Sequence, residues 1–148
     1  MVDHNKKQNI SPAEWEIMRV VWAKGETTSK EVFNILNEKT DWKNTTVKTL
    51  LKRLVEKDML TTEKVGNKFI YTPLVEQKKS VQNVTDDLLA KLCVTKVGNL
   101  IETIIADSDL SFDDIDRIEE LLKEKRKTAV ETVMCNCTPG QCKCSFED

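Results

Sequence analysis

The chain has 148 residues, 32% charged, 39% hydrophobic and only 5% aromatic, with a net charge of −2. This length supports one modest core or two small ones. The longest unbroken apolar run is Val20-Val21-Trp22-Ala23 and no apolar stretch follows the N-terminal lysines, so neither a membrane span nor a secretory signal is expected, and a reducing cytoplasm is.

Ser11-Pro12-Ala13-Glu14 opens a first helix: serine caps, proline takes the first helical position, and glutamate three residues on closes a capping box. Trp15, Met18, Val21 and Trp22 follow at helical spacing until Gly25 ends it. Thr28-Ser29-Lys30-Glu31 is a second capping box, feeding Val32, Phe33, Ile35 and Leu36. A third helix is expected from Asn44 to Lys57, capped by Asn44 or Thr45. Val47, Leu50, Leu51, Leu54 and Val55 make its buried stripe, and Thr46, Lys48, Thr49, Lys52, Arg53 and Glu56 its surface. Trp42, just before it, reads as a packing anchor.

Leu60–Val65 and Lys68–Thr72 flank Gly66-Asn67, a pair that favours tight hairpin turns. Three helices followed by a hairpin with Lys64 and Lys68 at its tip is the order of a winged helix-turn-helix. In that geometry the third helix enters the major groove and the ribbon grips the backbone. The charge agrees: residues 43–68 hold seven basic and three acidic side chains, while residues 76–148 hold 10 Lys/Arg against 15 Asp/Glu. So mild a bias tells only if the cations share one surface.

Beyond Pro73 the chain reads as helix. Val81, Val84, Leu88, Leu89 and Leu92 lead into Val97, Leu100, Ile101, Ile104 and Ile105. Ser111 then caps a last helix with Asp113 and Asp114 in its first turn and Phe112, Ile115, Ile118, Leu121 and Leu122 as its stripe. These stripes are too wide to leave in water, and burial against a second copy, rather than packing onto the winged domain, suits a protein that reads palindromes. Cys93, between Leu92 and Val97, reads as a buried free thiol on an apolar helix face. The acidic group Asp107, Asp109, Asp113, Asp114 and Asp116 fits helix capping, without an Asp-x-Asp-x-Asp-Gly calcium loop. His4 reads as solvated.

The other four cysteines fall within ten positions, Cys135-Asn-Cys137-Thr-Pro-Gly-Gln-Cys142-Lys-Cys144. Pro139-Gly140 can turn the segment back so that the two C-x-C pairs face each other. Disulfides suit this poorly: a C-x-C ring is strained, five cysteines leave one over, and the compartment is reducing. Converging thiolates bind zinc, Cu(I) or iron–sulfur; from spacing alone, zinc and copper stay level. Four thiolates carry the same net charge around one Zn(II) as around two Cu(I), so a switch between those states has to work through shape.

The residues Trp15, Met18, Trp22 and Trp42, the run Thr46-Val47-Lys48-Thr49-Leu50-Leu51-Lys52-Arg53-Leu54, Lys64-x-Gly66 and Tyr71-x-Pro73 resemble the BlaI/MecI family of winged-helix repressors over about residues 11–125. The cysteine tail resembles its CopY branch, the copper-responsive repressors of Gram-positive bacteria. The resemblance implies a homodimer on double-stranded inverted-repeat operator DNA upstream of copper-export genes. It implies one Zn(II) per tail in the DNA-bound form, displaced by two Cu(I) per chain on release. By position the metal ligands are Cys135, Cys137, Cys142 and Cys144. Helix facing adds Thr45, Thr46, Lys48, Thr49, Lys52 and Arg53 as DNA contacts, with Lys64 and Lys68 from the ribbon. A copper chaperone is a conceivable partner; proteolytic induction, as in the β-lactam-sensing members, is not expected.

The expected architecture is therefore mainly α with a small β-hairpin. A winged-helix DNA-binding domain spans 1–75, a helical dimerisation region 76–130, and a cysteine-rich metal-binding tail 131–148. Two other readings remain open: a repressor whose zinc site is purely structural, and a metallothionein-like copper buffer. No phosphate loop or nucleophile–base set points to an enzyme.

Overall fold

The computed structural model describes residues 9–144, so His4 lies outside the described residues. The Glu14 N–H donates to the Ser11 hydroxyl at 3.1 Å and starts α1 (Pro12–Lys24), which Gly25 ends at φ 81° with its N–H on the Val21 carbonyl. The expected capping box is only half formed. The Glu14 carboxylate, almost wholly buried, turns away from Ser11 to meet Lys57 Nζ at 2.7 and 2.9 Å. Thr28 likewise caps α2 (Ser29–Leu36) by accepting from the Glu31 N–H, while the Glu31 carboxylate accepts from Thr27 Oγ1. At α1 a tertiary partner, Lys57, takes the carboxylate, and at α2 the neighbouring Thr27 hydroxyl does, so neither makes the return bond.

α3 runs Asn44–Glu56 and is preceded by Lys43 in extended conformation. Asn44 is therefore already helical, neither it nor Thr45 is the cap, and no side chain closes this N-terminus. Its buried stripe is Val47, Leu50, Leu51 and Leu54, with Val55 half-buried. These pack with Ile17, Met18, Val20 and Val21 of α1, Val32 and Leu36 of α2, and Met59 and Leu60 beyond α3. Trp42 packs against this core, as its position predicts, whereas Ile35 is exposed. Lys57 donates to the Asn9 carbonyl at 2.7 Å as well as to Glu14, tying the end of α3 to the start of α1.

β1 (Leu60–Val65) and β2 (Lys68–Pro73) pair antiparallel in the register Leu60↔Pro73 to Val65↔Lys68. Gly66 supplies the positive φ of 63° that the turn needs. Thr27 and Tyr71 exchange both backbone hydrogen bonds (3.0 and 2.8 Å), which ties the ribbon to the segment before α2. The Trp22 indole N–H donates to the Val75 carbonyl at 2.9 Å and holds the chain that leaves β2.

The chain divides into two compact units, 1–84 and 85–148, at a point inside α4 (Gln77–Ala90). In the second unit a 3₁₀ turn (Val94–Lys96) precedes α5 (Val97–Asp107) and α6 (Phe112–Arg126). Ser111 and Asp114 form a full reciprocal capping box at α6. The Ser111 hydrogen bonds, and then Arg117, hold the Asp114 carboxyl below its usual range. No residue from 85 to 144 is buried: Ile101, Ile104, Ile105, Leu121 and Leu122 all face solvent in the single chain. Among the described residues no helix is long and apolar enough to cross a membrane.

Candidate DNA-contacting face and metal centre

α3 presents two grooves. Along one side Thr45, Thr46, Thr49 and Arg53 line a shallow depression with Leu50 beneath. Along the other, Lys48 and Lys52, one helical turn apart, line a groove with Thr62, Phe69 and Tyr71 of the ribbon, Val55, and Ser29 at the start of α2. Thr45, Lys48, Thr49, Lys52 and Arg53 are exposed and Thr46 half-buried. The first unit thus places all six expected residues of this helix on its outward surface. The Thr49 hydroxyl donates to the Thr45 carbonyl at 2.9 Å, so its proton is committed and its lone pairs remain to accept. The uncapped α3 N-terminus leaves backbone N–H groups aimed outward, the arrangement that favours phosphate. Lys64 and Lys68 are exposed beside the ribbon turn, Lys64 resting 6.0 Å from the centre of the Phe69 ring.

In the second unit the tail folds back through Thr138-Pro139-Gly140-Gln141, closed by the Gln141 N–H on the Thr138 carbonyl at 3.0 Å with Gly140 at φ 94°. Proline at the second and a positive-φ glycine at the third position make this a type II turn. It brings Cys135 and Cys142 to an Sγ–Sγ distance of 3.2 Å. The cluster is completed by an unexpected member. Cys93 Sγ lies 3.6 Å from Cys135 Sγ and 3.7 Å from Cys144 Sγ, and the sulfurs of Cys93, Cys135, Cys142 and Cys144 all lie within 4.8 Å of one another. Cys137 stands at the edge. Its thiol interacts with Cys93, Cys135 and Cys142, but it is not part of this mutual set, and its backbone N–H donates to Cys135 Sγ at 3.4 Å.

Cys93 is therefore neither buried nor on a helix face. It is half-exposed, in the extended residue between α4 and the 3₁₀ turn. Val94, Thr95 and Val97 are β-branched and Gly98 follows, a run of weak helix formers that signals the break in the sequence itself. The Thr95 hydroxyl sits 3.1 Å from Cys93 Sγ and 3.4 Å from Cys144 Sγ. Hydrogen bonds from the Thr95 side chain and backbone bring the Cys93 thiol down to about 6, which favours the thiolate, the form of cysteine that can ligate a metal. Cys142 is also lowered, by the Cys135 thiol and the Cys144 backbone N–H. Cys137 is pushed far up, first by Cys93 and then by Cys135. The Cys137 N–H pulls Cys135 down, but the Cys142 thiol, partial burial and Cys93 outweigh it and leave Cys135 raised. All five cysteines carry free thiols.

A family described as penicillinase repressor matches residues 10–124, most of the chain. The chain belongs to this family. An uncharacterized 16.5 kDa protein encoded in the ptsI 3′ region of Latilactobacillus sakei is 40% identical over 139 residues, 94% of this chain and 95% of its own length. The methicillin resistance regulatory protein MecI of Mammaliicoccus sciuri is 28% identical over 121 residues, 82% of this chain and 98% of its own. The solved CopR repressor structure is 50% identical, covering 46% of this chain and 99% of that one, with a TM-score of 0.41. Penicillinase repressors are DNA-binding transcriptional repressors rather than enzymes, and this chain is one of them. The family match takes in Cys93 but ends at residue 124, short of the tail cysteines.

Proposed function

We propose that this penicillinase-repressor family member is a copper-responsive repressor that binds inverted-repeat operators as a homodimer and leaves them when Cu(I) occupies its tail thiolates. The observation that carries the reading is the convergence of tail sulfurs across the Thr138–Gln141 turn, in a member of a repressor family whose matched region stops before that tail. The donor set fits a thiophilic ion. Zinc bonded to four thiolates at about 2.3 Å sets sulfur–sulfur edges of about 3.8 Å, and the Cys135–Cys142, Cys93–Cys135 and Cys93–Cys144 separations are 3.2, 3.6 and 3.7 Å. When bound, Zn(II) supplies a structural cross-link without redox chemistry, and Cu(I) is the softer ion that thiolates prefer. Cys135, Cys137, Cys142 and Cys144 are the residues proposed to take up Cu(I), two per chain, as the C-x-C spacing and the CopY resemblance imply.

On DNA, the hydroxyls of Thr45, Thr46 and Thr49 are placed for base edges. Lys48, Lys52 and Arg53 on α3, with Lys64 and Lys68 on the ribbon, are placed for phosphates. The exposed stripes of α5 and α6 support self-association, because a lone chain leaves apolar area in water that a second copy would cover. Coupling between metal and DNA is a free-energy linkage between two states of the dimer. Nothing on the described surface argues for a copper chaperone as a partner.

The test is binding of the zinc-loaded protein to an inverted-repeat duplex, titrated anaerobically with Cu(I) while zinc release is followed. Loss of DNA binding as two Cu(I) per chain displace one zinc is the expected result. Zinc exchange without release would make the tail a structural clip or a buffer, and the inducer would lie elsewhere.

A further inference from the structure

We propose that the zinc site is completed by Cys93 from the turn between α4 and α5, with Cys135, Cys142 and Cys144, and that Cys137 is the thiol left outside it. This rests on the reading that the tail holds zinc, and it changes which sulfurs do so. Spacing within the tail selects four cysteines in ten residues; the geometry selects three of them and one that lies 42 residues before Cys135 in sequence.

Three observations converge. The four sulfurs are mutually within 4.8 Å, and three of their separations are 3.2, 3.6 and 3.7 Å, near the tetrahedral edge of a Zn–S₄ site. The surroundings suit thiolates on this set: the Thr95 hydroxyl lies within hydrogen-bond reach of both Cys93 and Cys144, and the Cys137 N–H points at the Cys135 sulfur. Such outer-shell donors orient and support ligands. Cys137 thus serves through its backbone, since one N–H group already fixes it against Cys135.

The arrangement accounts for how a ten-residue motif can report to the helices before it. A tail-only site would close a ring within the tail and leave residues 94–134 unconstrained by it. A site through Cys93 closes the chain from the 3₁₀ turn through α5 and α6 to Cys135, so all of the second unit's helical part past α4 lies inside the ring. Each ligating thiol gives its proton to solvent, and the protein changes no other bond. Cys137 stays available as an extra thiolate when the tail takes up two Cu(I).

Alkylation of the full chain by iodoacetamide, followed by mass spectrometry of each cysteine peptide, tests the choice without any substitution. Zinc stoichiometry is measured first. A chain that takes up no zinc sinks both this proposal and the one before it; one zinc taken up with Cys93 unprotected sinks only the choice of ligand. The expected result is that zinc slows Cys93 alkylation at least about tenfold relative to the metal-free chain, while Cys137 is not slowed. Protection of Cys137 in place of Cys93, or of both together, overturns the assignment. Cobalt substitution adds a spectroscopic readout. Cys137→Ser should keep the full thiolate-to-cobalt charge-transfer intensity of the parent, and Cys93→Ser should lose about a quarter of it, one thiolate in four. Equal intensity in Cys93→Ser and the parent counts against a role for Cys93 as ligand.

Discussion

Replacing Lys52 and Arg53 together by alanine asks whether α3 meets DNA through its polar surface. Both side chains are exposed, and among the described residues neither forms an ion pair within the chain, so their charge is free for phosphate. They line different grooves, Arg53 with the threonines and Lys52 with Lys48 and the ribbon, so the double change thins the cationic surface on both sides of the helix. Each phosphate contact removed lowers the slope of log affinity against log salt by about 0.9. Two cations in each of two chains give up to four contacts, hence a slope reduced by about 3.6. From about 50 to 200 mM salt, the gap between parent and variant affinities should then narrow by about 150-fold. Fluorescence anisotropy on a labelled inverted-repeat duplex at four or five salt concentrations measures this. Thermal unfolding should move by no more than the roughly 0.5 kcal/mol of a surface change. A salt slope unchanged to within about one contact would refute the assignment of this surface to DNA.

Three other perturbations have defined outcomes. Glu14→Gln should destabilise the first unit by about 2 kcal/mol, below the 3–5 of a fully buried pair because the Lys57 side chain keeps 32% of its exposure; the melting point should fall by about 10 °C, and an unchanged one would mean the pair contributes nothing. Ile104→Glu with Leu121→Glu should shift sedimentation from dimer to monomer, whereas a persistent dimer would place the interface outside the α5 and α6 stripes. In the metal-free chain the Cys93 thiol, brought to about 6 by Thr95, should alkylate along a pH profile that rises through about pH 6 and levels by neutrality. The sign follows from the thiolate being the nucleophile: a lowered value makes the reactive form abundant at lower pH. Cys137, pushed upward, should remain protonated and slow over the same range, and Thr95→Val should return the Cys93 profile toward that of an ordinary thiol.

Local chemistry was legible wherever it faced no competitor. Gly66-Asn67, Pro139-Gly140, Ser111 and the apolar stripe of α3 each specify their own geometry within a few residues, and each stands where the sequence places it. Signals that depend on a partner elsewhere in the chain mislead. Glu14 has the spacing of a capping-box residue, but Lys57, 43 positions later, offers a charged and partly desolvated bond worth more than a return to Ser11. At α3 the small polar residues Asn44 and Thr45 look like caps, yet helical geometry begins at Asn44 and places its cap position at Lys43. Cys93 was hidden by hydrophobic neighbours, since Leu92 and Val97 imply a continuous face only if the helix continues, and it stops at Ala90. The outward surface of α3 needed no such correction, because facing follows from helical period once the buried residues are known.

The nearness of Cys93 to the tail also bears on how freely the cysteine cluster could be moved between proteins. Were every ligand contained in residues 135–144, the segment would be a portable cassette that could be grafted onto any repressor of similar size. With one sulfur of the cluster standing at a break in the helical region, between Ala90 and Val94, a grafted tail would lack that sulfur unless the recipient has a bend and a thiol at the corresponding place. A transplanted tail without them would still collect metal ions, yet nothing would connect that occupancy to the host's own fold.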